Sequence, residues 1–375
     1  MTPMKQAPLG LYVHLPFCVR KCAYCDFASF AGREGDMARY VDAVLKEARI
    51  KSGLSRPIAT LYLGGGTPSL LPPETMDRLL RGLRCAFHFL PGAECSCECN
   101  PGTVTKAFLE TLKKGGINRL SFGAQARQPE LLSLLGRIHT WEQVEQSVAL
   151  AREAGFDNIN LDLMLGLPGQ TLADVQETLD AALSLSPTHL SCYGLIVEEG
   201  TKMSRMVESG AWQLPDEETE RDMYELCRSV LSRHGFFQYE ISNFSLPGFA
   251  CRHNLDCWQR KEYLGLGSAA CGFVGSVRFE NPPGLDDYLK GKPAEETVIS
   301  PSEARFESMM LGLRMTEGVS NADFAARHGM SIQAAFGEKL NKPLAQGLVE
   351  WSGDCLRLTR RGMDVQNAVL VELMD

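Results

Sequence analysis

Three thiols stand close together near the start of the chain, in Cys18-Val-Arg-Lys-Cys22-Ala-Tyr-Cys25, with three and then two residues between them. Thiolates are soft ligands that suit iron and zinc. A structural zinc site normally closes with four protein ligands, and an ordinary four-iron cluster also takes four cysteines. Here the local count stops at three. A four-iron cube held at three corners leaves one iron open to a small molecule, which is the reading the deficit favours. A zinc site that recruits His14 and a set of unligated thiols are the alternatives.

Other residues with chemistry recur at the ends of apolar runs. Gly64-Gly65-Gly66-Thr67-Pro68 follows the run Thr60–Leu63, and glycines there allow the backbone to approach a ligand closely. In Glu94-Cys-Ser-Cys-Glu98-Cys the alternation of an extended strand puts Glu94, Ser96 and Glu98 on one face and Cys95, Cys97 and Cys99 on the other. A carboxylate buried at a strand end is costly without a donor, so Glu98 is expected to receive an amine. The three alternate cysteines read as small core residues. Gln125 ends a fourth run, Arg137 and His139 lie in Gly-Arg-Ile-His, and Asp162 sits in Asn-Leu-Asp-Leu-Met, where it shares a face with Asn160 and Met164.

Those positions need a scaffold that gathers strand ends. From Leu11 to Leu195, β-rich runs alternate with amphipathic helical stretches, as parallel strands with crossover helices require. Strands are predicted near 11–14, 60–63, 95–99, 119–123, 158–164 and 189–195. Helices are predicted over 36–54, 72–89, 105–115, 140–154 and 171–184. Six such units fall short of an eight-unit barrel, and spacing alone leaves an open doubly wound sheet equally available. A helix over 216–234 precedes an irregular stretch rich in aromatics and glycine that ends near Tyr288. Gly291–Glu303 carries the proline and charge of a linker. Beyond it, three helical stretches, a strand pair around Ser352-Gly353-Asp354 and a last helix suggest a small winged-helix-like domain. Its candidate recognition helix, 332–346, holds Glu338 beside Lys339 and Lys342, which favours docking to protein over DNA. The expected division is 1–215, 216–290 and 291–375.

The cysteine spacing, with an aromatic residue, Tyr24, before the third thiol, resembles the radical S-adenosylmethionine (SAM) superfamily. The resemblance implies a [4Fe-4S] cluster on Cys18, Cys22 and Cys25, with the amine and carboxylate of SAM chelating the open iron. It extends over nearly the whole chain through LYVHLPFCVRKCAYCDF, YLGGGTPSLL, SFGAQ, LGRIH and NLDLMLGLPGQT, which look like the oxygen-independent coproporphyrinogen III dehydrogenases and their heme-chaperone relatives. That family implies a partial six-unit (β/α) barrel, TIM-like, followed by a mainly helical C-terminal domain. The implied cofactor contacts are Tyr12, Tyr24, Gly65, Gly66, Thr67, Glu98, Gln125, Arg137 and Asp162.

Two features separate the branches. Dehydrogenases of the family carry a further cysteine two residues after the third, and this chain has Phe27 there. The chaperone branch carries HNxxYW after a YEISNF-like run; here Tyr239-Glu-Ile-Ser-Asn-Phe244 precedes His253-Asn-Leu-Asp-Cys257-Trp258. Cys257 stands in place of tyrosine, and Cys271 stands where related sequences usually carry histidine. His253 is therefore the candidate heme ligand, with a packing role beside Trp258 as its rival. The resemblance implies heme, acceptor hemoproteins, membrane-bound respiratory enzymes among them, and a low-potential electron donor, and it leaves a homodimer open. Its alternatives are a decarboxylase of coproporphyrinogen III propionates and a radical enzyme with an unrelated substrate.

Charge and composition narrow the remainder. The 375 residues carry 38 basic and 46 acidic side chains, a net charge of −8, which excludes a general nucleic-acid binder. The longest uncharged stretches, 57–73 and 181–197, are broken by proline and glycine and fall short of the roughly 20 apolar residues of a membrane span. The N-terminus lacks a basic head followed by an apolar stretch, so a cytoplasmic protein is expected, with a peripheral place at the inner membrane face where acceptors sit. In a reducing compartment the 13 cysteines are not a disulfide framework, which returns attention to metal.

Overall fold

The structure is a computed structural model and describes residues 7–374. Six strands, Leu9–Leu15, Ile58–Gly65, Phe89–Cys99, Arg119–Gln125, Asn158–Leu165 and His189–Gly194, lie side by side in sequence order, all parallel. Each outward face is apolar and each inward face is polar. Leu11, Leu61, Cys97, Leu120, Leu161 and Leu190 are fully or almost fully buried against the crossover helices. Tyr12, Tyr62, Glu98, Ser121, Asp162 and Ser191 point the other way, into the barrel. Cys95, Cys97 and Cys99 are core residues, as the alternation requires.

The six strands curve without closing. A parallel strand, Tyr263–Leu266, adds to the outer edge of the first strand and is followed by Cys271–Val274, Val277–Glu280 and Glu295–Val298 in antiparallel order. At the other end Asn243–Ser245 and Phe237–Gln238 pair onto the sixth strand. The result is one twelve-stranded sheet whose middle is a partial (β/α)6 barrel. This decides between the two architectures that spacing alone left open. Pairing of residues far apart in the chain is a tertiary property, invisible to local patterning.

The stretch expected to be irregular instead holds short strands and the helices Arg252–Trp258 and Leu285–Leu289, each too short to show a clear period. The expected linker is corrected too: Glu295–Val298 pairs as an edge strand, and Ser300 caps a helix, Pro301–Gly312, through a reciprocal bond with Glu303. Phe89, placed in a helix by its pattern, begins the third strand. A helix at Pro129–Leu135 was not anticipated, because seven residues show barely two turns of period. Helix Glu217–Arg233 packs Met223, Cys227, Val230 and Leu231 into the barrel's own core.

The last segment has its own apolar core, including Met309, Leu313, Phe324, Phe336, Leu340, Leu356 and Val369. Three helices, Pro301–Gly312, Asn321–His328 and Ile332–Ala345, precede a hairpin of Val349–Ser352 and Cys355–Leu358, turned at Gly353 with φ of +60°. This is the winged-helix-like order. Among the described residues no helix is long and apolar enough to cross a membrane.

Candidate cluster and cofactor site

The site sits at the C-terminal ends of the barrel strands, where loops from several units converge on a cavity of about 380 Å³. Cys18, Cys22 and Cys25 line one wall, each partly buried, on the loop that follows the first strand. Two backbone bonds pin that loop to the glycine run. Gly66 donates its N–H to the Leu15 carbonyl at 2.9 Å, and Thr67 donates to the Phe17 carbonyl at 2.7 Å. The approach is so close that a Cβ on Gly66 would lie 2.7 Å from the Phe17 oxygen and 2.8 Å from the Leu15 oxygen. Gly65, at φ of +108°, leaves no space for a Cβ against the His14 ring.

His14 braces the same loop from within the barrel. Its Nε2 meets the Ala28 carbonyl at 2.8 Å, which only accepts, so Nε2 carries the proton and Nδ1 accepts from the Tyr12 hydroxyl at 2.9 Å. Burial lowers the pKa of His14 and keeps the ring neutral. With both nitrogens engaged, His14 serves the loop and is not poised as a fourth metal ligand. Among the described residues no three His, Cys, Asp or Glu side chains converge on one ion. A cube asks each thiolate only for its own iron corner, so the three-cysteine arrangement needs no such convergence.

Donors reach toward the sulfur atoms. Thr67 Oγ1 lies 3.7 Å from Cys18 Sγ and Arg137 Nη1 lies 3.6 Å from Cys22 Sγ. Burial pushes the thiols of Cys18 and Cys25 up, so ligation must displace protons that the apo site retains. Arg137 also bonds Asn100 Oδ1 at 2.6 Å and the Gly123 carbonyl at 2.8 Å, while its Nε is buried without a partner.

The opposite wall carries the carboxyls. Glu98 accepts from the Gly65 N–H and from the Tyr62 hydroxyl, both at 3.0 Å. Gly64 makes room for it: a Cβ there would sit 2.9 Å from Glu98 Oε2. Burial, with the nearby Asp162 adding to it, pushes the Glu98 pKa up to about 7, against the pull of those two donors and of Arg119. Asp162 accepts from Ser121 at 3.0 Å and from Asn160 at 2.8 Å, and burial raises its pKa as well. Gln125 holds φ of +66°, a left-handed conformation costly for a side-chain residue, and lines the cavity beside Gly123.

Of the expected site residues, Tyr24, Gly65, Gly66, Thr67, Glu98, Gln125, Arg137, Asp162 and the three cysteines all line this one cavity. Tyr12 stands just beneath it, its ring 6.4 Å from that of Tyr62. His139 is buried beside the Ala124 carbonyl instead. His253 is elsewhere: it is only 6% exposed at the N-terminal end of the strands, with Nδ1 2.9 Å from Thr60 Oγ1 and its ring stacked on Tyr62. Sequence reasoning missed Tyr62, Asn100, Ser121 and Tyr193, which also line the cavity. Tyr62 could have been found, since strand alternation puts it on the face of Thr60 and Gly64.

Comparison with known proteins accords with this geometry. Residues 12–182 match the model of the radical SAM superfamily, and residues 299–365 match the HemN C-terminal domain. The chain is 37% identical over 370 residues to the heme chaperone HemW of Bacillus subtilis, covering 96% of this chain and 97% of that protein. The chain belongs to the HemW branch of the HemN-like radical SAM family. It is also 34% identical to the HemW of Escherichia coli, covering 98% of each protein. The solved structure of coproporphyrinogen III oxidase (HemN) from Escherichia coli, a radical SAM enzyme, superposes with a TM-score of 0.86 at 25% identity, over 99% of this chain and 91% of that one. Membership of the superfamily carries with it a [4Fe-4S] cluster and SAM.

Proposed function

We propose that this protein is a heme chaperone that holds a [4Fe-4S] cluster on Cys18, Cys22 and Cys25, binds SAM, and carries heme to acceptor hemoproteins. The cofactor residues fit on three counts. The thiols face one cavity, Gly65 and Gly66 line it beside them without side chains, and the Arg137 Nε is buried without a partner. When bound, the cluster supplies an electron for cleaving a carbon–sulfur bond of SAM. The chain's own work is positioning. Glu98 receives the methionyl amine, Arg137 and Gln125 face the carboxylate, Asp162 faces the ribose hydroxyls, Tyr24 and Gly65–Thr67 shape the walls, and Tyr12 supports them from beneath.

The observation that carries the chaperone reading is Phe27. The ring is 62% exposed at the cavity mouth, where coproporphyrinogen dehydrogenases are expected to carry a thiol. Exposed Val19 and Ile196, at 52% and 71%, belong to neighbouring mouth loops, and Arg20 and Lys21 line the rim. A flat apolar macrocycle with two carboxylates matches one aromatic ring and two aliphatic side chains beside two cations. The HemW name of the full-length relatives supports the same cargo.

The test uses protein with an anaerobically rebuilt cluster. Titration with hemin is expected to give a Soret band saturating near one heme per chain, with no consumption of coproporphyrinogen III. Phe27→Asp and the pair Arg20→Glu with Lys21→Glu should each weaken heme binding by roughly tenfold, about 1.4 kcal/mol. Steady formation of protoporphyrinogen without stoichiometric heme binding would overturn the proposal.

A further inference from the structure

The two motifs that mark the branch, Tyr239–Phe244 and His253–Trp258, do not reach the cavity mouth. They build the floor of the barrel. Helix Arg252–Trp258 starts on the buried carboxylate of Glu94, which accepts the N–H of Arg252 at 3.0 Å and of His253 at 3.1 Å. Tyr239 reaches the same floor: its hydroxyl meets His189 Nε2 at 2.8 Å and accepts the Cys251 N–H at 3.3 Å. His189 Nδ1 in turn lies 2.6 Å from Asn160 Oδ1, and Asn160 donates to Asp162.

From this floor a column of rings rises toward the cofactor pocket. His253 is anchored to Thr60, and its ring lies 5.3 Å from that of Tyr62 at an interplanar angle of 26°. Tyr12 stacks on Tyr62 at 6.4 Å and 29°. The Tyr62 ring is thus held beside two others, and its hydroxyl donates to Glu98 alongside the Gly65 N–H. The helix also touches the C-terminal segment. The guanidinium of Arg314 lies 4.5 Å from the Trp258 ring and 3.4 Å from Glu240.

We propose that His253 is a positioning residue for SAM: it holds Tyr62, and Tyr62 holds the Glu98 carboxylate against the methionyl amine. The inference rests on the reading that Glu98 takes that amine. It replaces the heme-ligand role that the motif suggested, since a 6%-exposed ring already bonded and stacked within the barrel is poorly placed to meet a macrocycle. It also gives the C-terminal domain a physical route to the cofactor, through Trp258 and the floor helix.

The groups facing Glu98 are Tyr62 from the second strand, Tyr12 from the first, Arg119 from the fourth, Asp162 from the fifth, Tyr193 from the sixth and the Gly65 N–H. The ionised carboxylate is the stronger acceptor for the N–H groups of the iron-chelating amine, and loss of a donor to a carboxylate raises its pKa. Removing or misaligning the Tyr62 hydroxyl therefore moves the pH midpoint of SAM binding upward.

The experiment is SAM binding to cluster-loaded full-length protein, by equilibrium dialysis from pH 6 to 9, with heme affinity measured alongside. Tyr62→Phe and His253→Ala are each expected to weaken SAM binding by about three- to tenfold and raise the midpoint by about half to one pH unit. The double variant should be no worse than Tyr62→Phe, because both act through one hydroxyl. His253→Phe keeps the stack and should restore most of the loss, while heme affinity stays unchanged throughout. If His253→Ala does not fold, Thr60→Val cuts the same anchor and is expected to give the same shift in milder form. Wild-type SAM affinity and midpoint in His253→Ala, or in Thr60→Val in its absence, overturn the relay while Tyr62→Phe still shifts. Loss of heme binding with SAM binding intact restores the heme-ligand role. Glu98→Gln separates the levels: unchanged SAM affinity there overturns the amine assignment itself.

Discussion

Gly66→Ala is a single added carbon whose cost can be worked from the contact geometry. The new Cβ would lie 2.7 Å from the Phe17 carbonyl oxygen, 2.8 Å from the Leu15 oxygen and 2.8 Å from the Phe17 nitrogen. All three are backbone atoms of the first strand and the start of the cluster loop, so no flexible side-chain end can yield. If the loop stays, the overlap costs what overpacking costs, about 1–3 kcal/mol. If it retreats, the bonds from Gly66 and Thr67 to Leu15 and Phe17 are lost, at about 0.5–1.5 kcal/mol each. Both routes lead to a loss of about 1–3 kcal/mol, and both displace the cysteines. The assay pairs urea denaturation of the apo-protein with iron content after anaerobic reconstitution, against Gly53→Ala, an exposed control whose Cβ meets nothing within 4 Å. Gly66→Ala should lower both readouts while the control lowers neither. A variant as stable as the control that loads iron fully would refute the claim that the glycine run sets the cluster loop.

Three further outcomes follow from the same structure. Cys25→Ala should abolish cluster assembly, whereas Cys97→Ala, on the outward core face, should leave iron content unchanged and cost only stability, read by iron assay and denaturation. Glu98 has a folded-state pKa of about 7, raised above its unfolded value, so the stability it contributes is complete below the unfolded pKa near ~4.3 and is lost as pH rises through 7. SAM affinity runs the opposite way, increasing from pH 6 to 8, and a pH-independent affinity would show that Glu98 does not meet the amine. Glu307 pairs with Arg260 at 2.8 Å, the two side chains only 11% and 9% exposed, and with Arg278 at 2.9 Å. Glu307→Ala strands the buried Arg260 charge and should destabilise the protein by about 3–5 kcal/mol, with earlier proteolytic release of the C-terminal segment as the readout.

The sequence by itself determined the chemistry. Cys18, Cys22 and Cys25 are close in the chain, so their spacing is a local property, and strand alternation was enough to separate inward Glu98 and Asp162 from outward Cys97 and Leu161. The winged-helix-like order was legible because its helices show a helical period and Ser352-Gly353-Asp354 marks the turn of its strand pair. Tertiary structure decided whatever depends on partners distant in the chain. It selected the partial barrel by pairing the six strands in sequence order without a reversal, and it turned an apparent linker into the edge strand Glu295–Val298. It also brought His253 to Thr60, 193 residues away in the chain, on the floor under Tyr62 rather than at an open surface. A motif shows which side chains are present, but burial and stacking are fixed by which strands and helices meet, and no local pattern encodes that meeting.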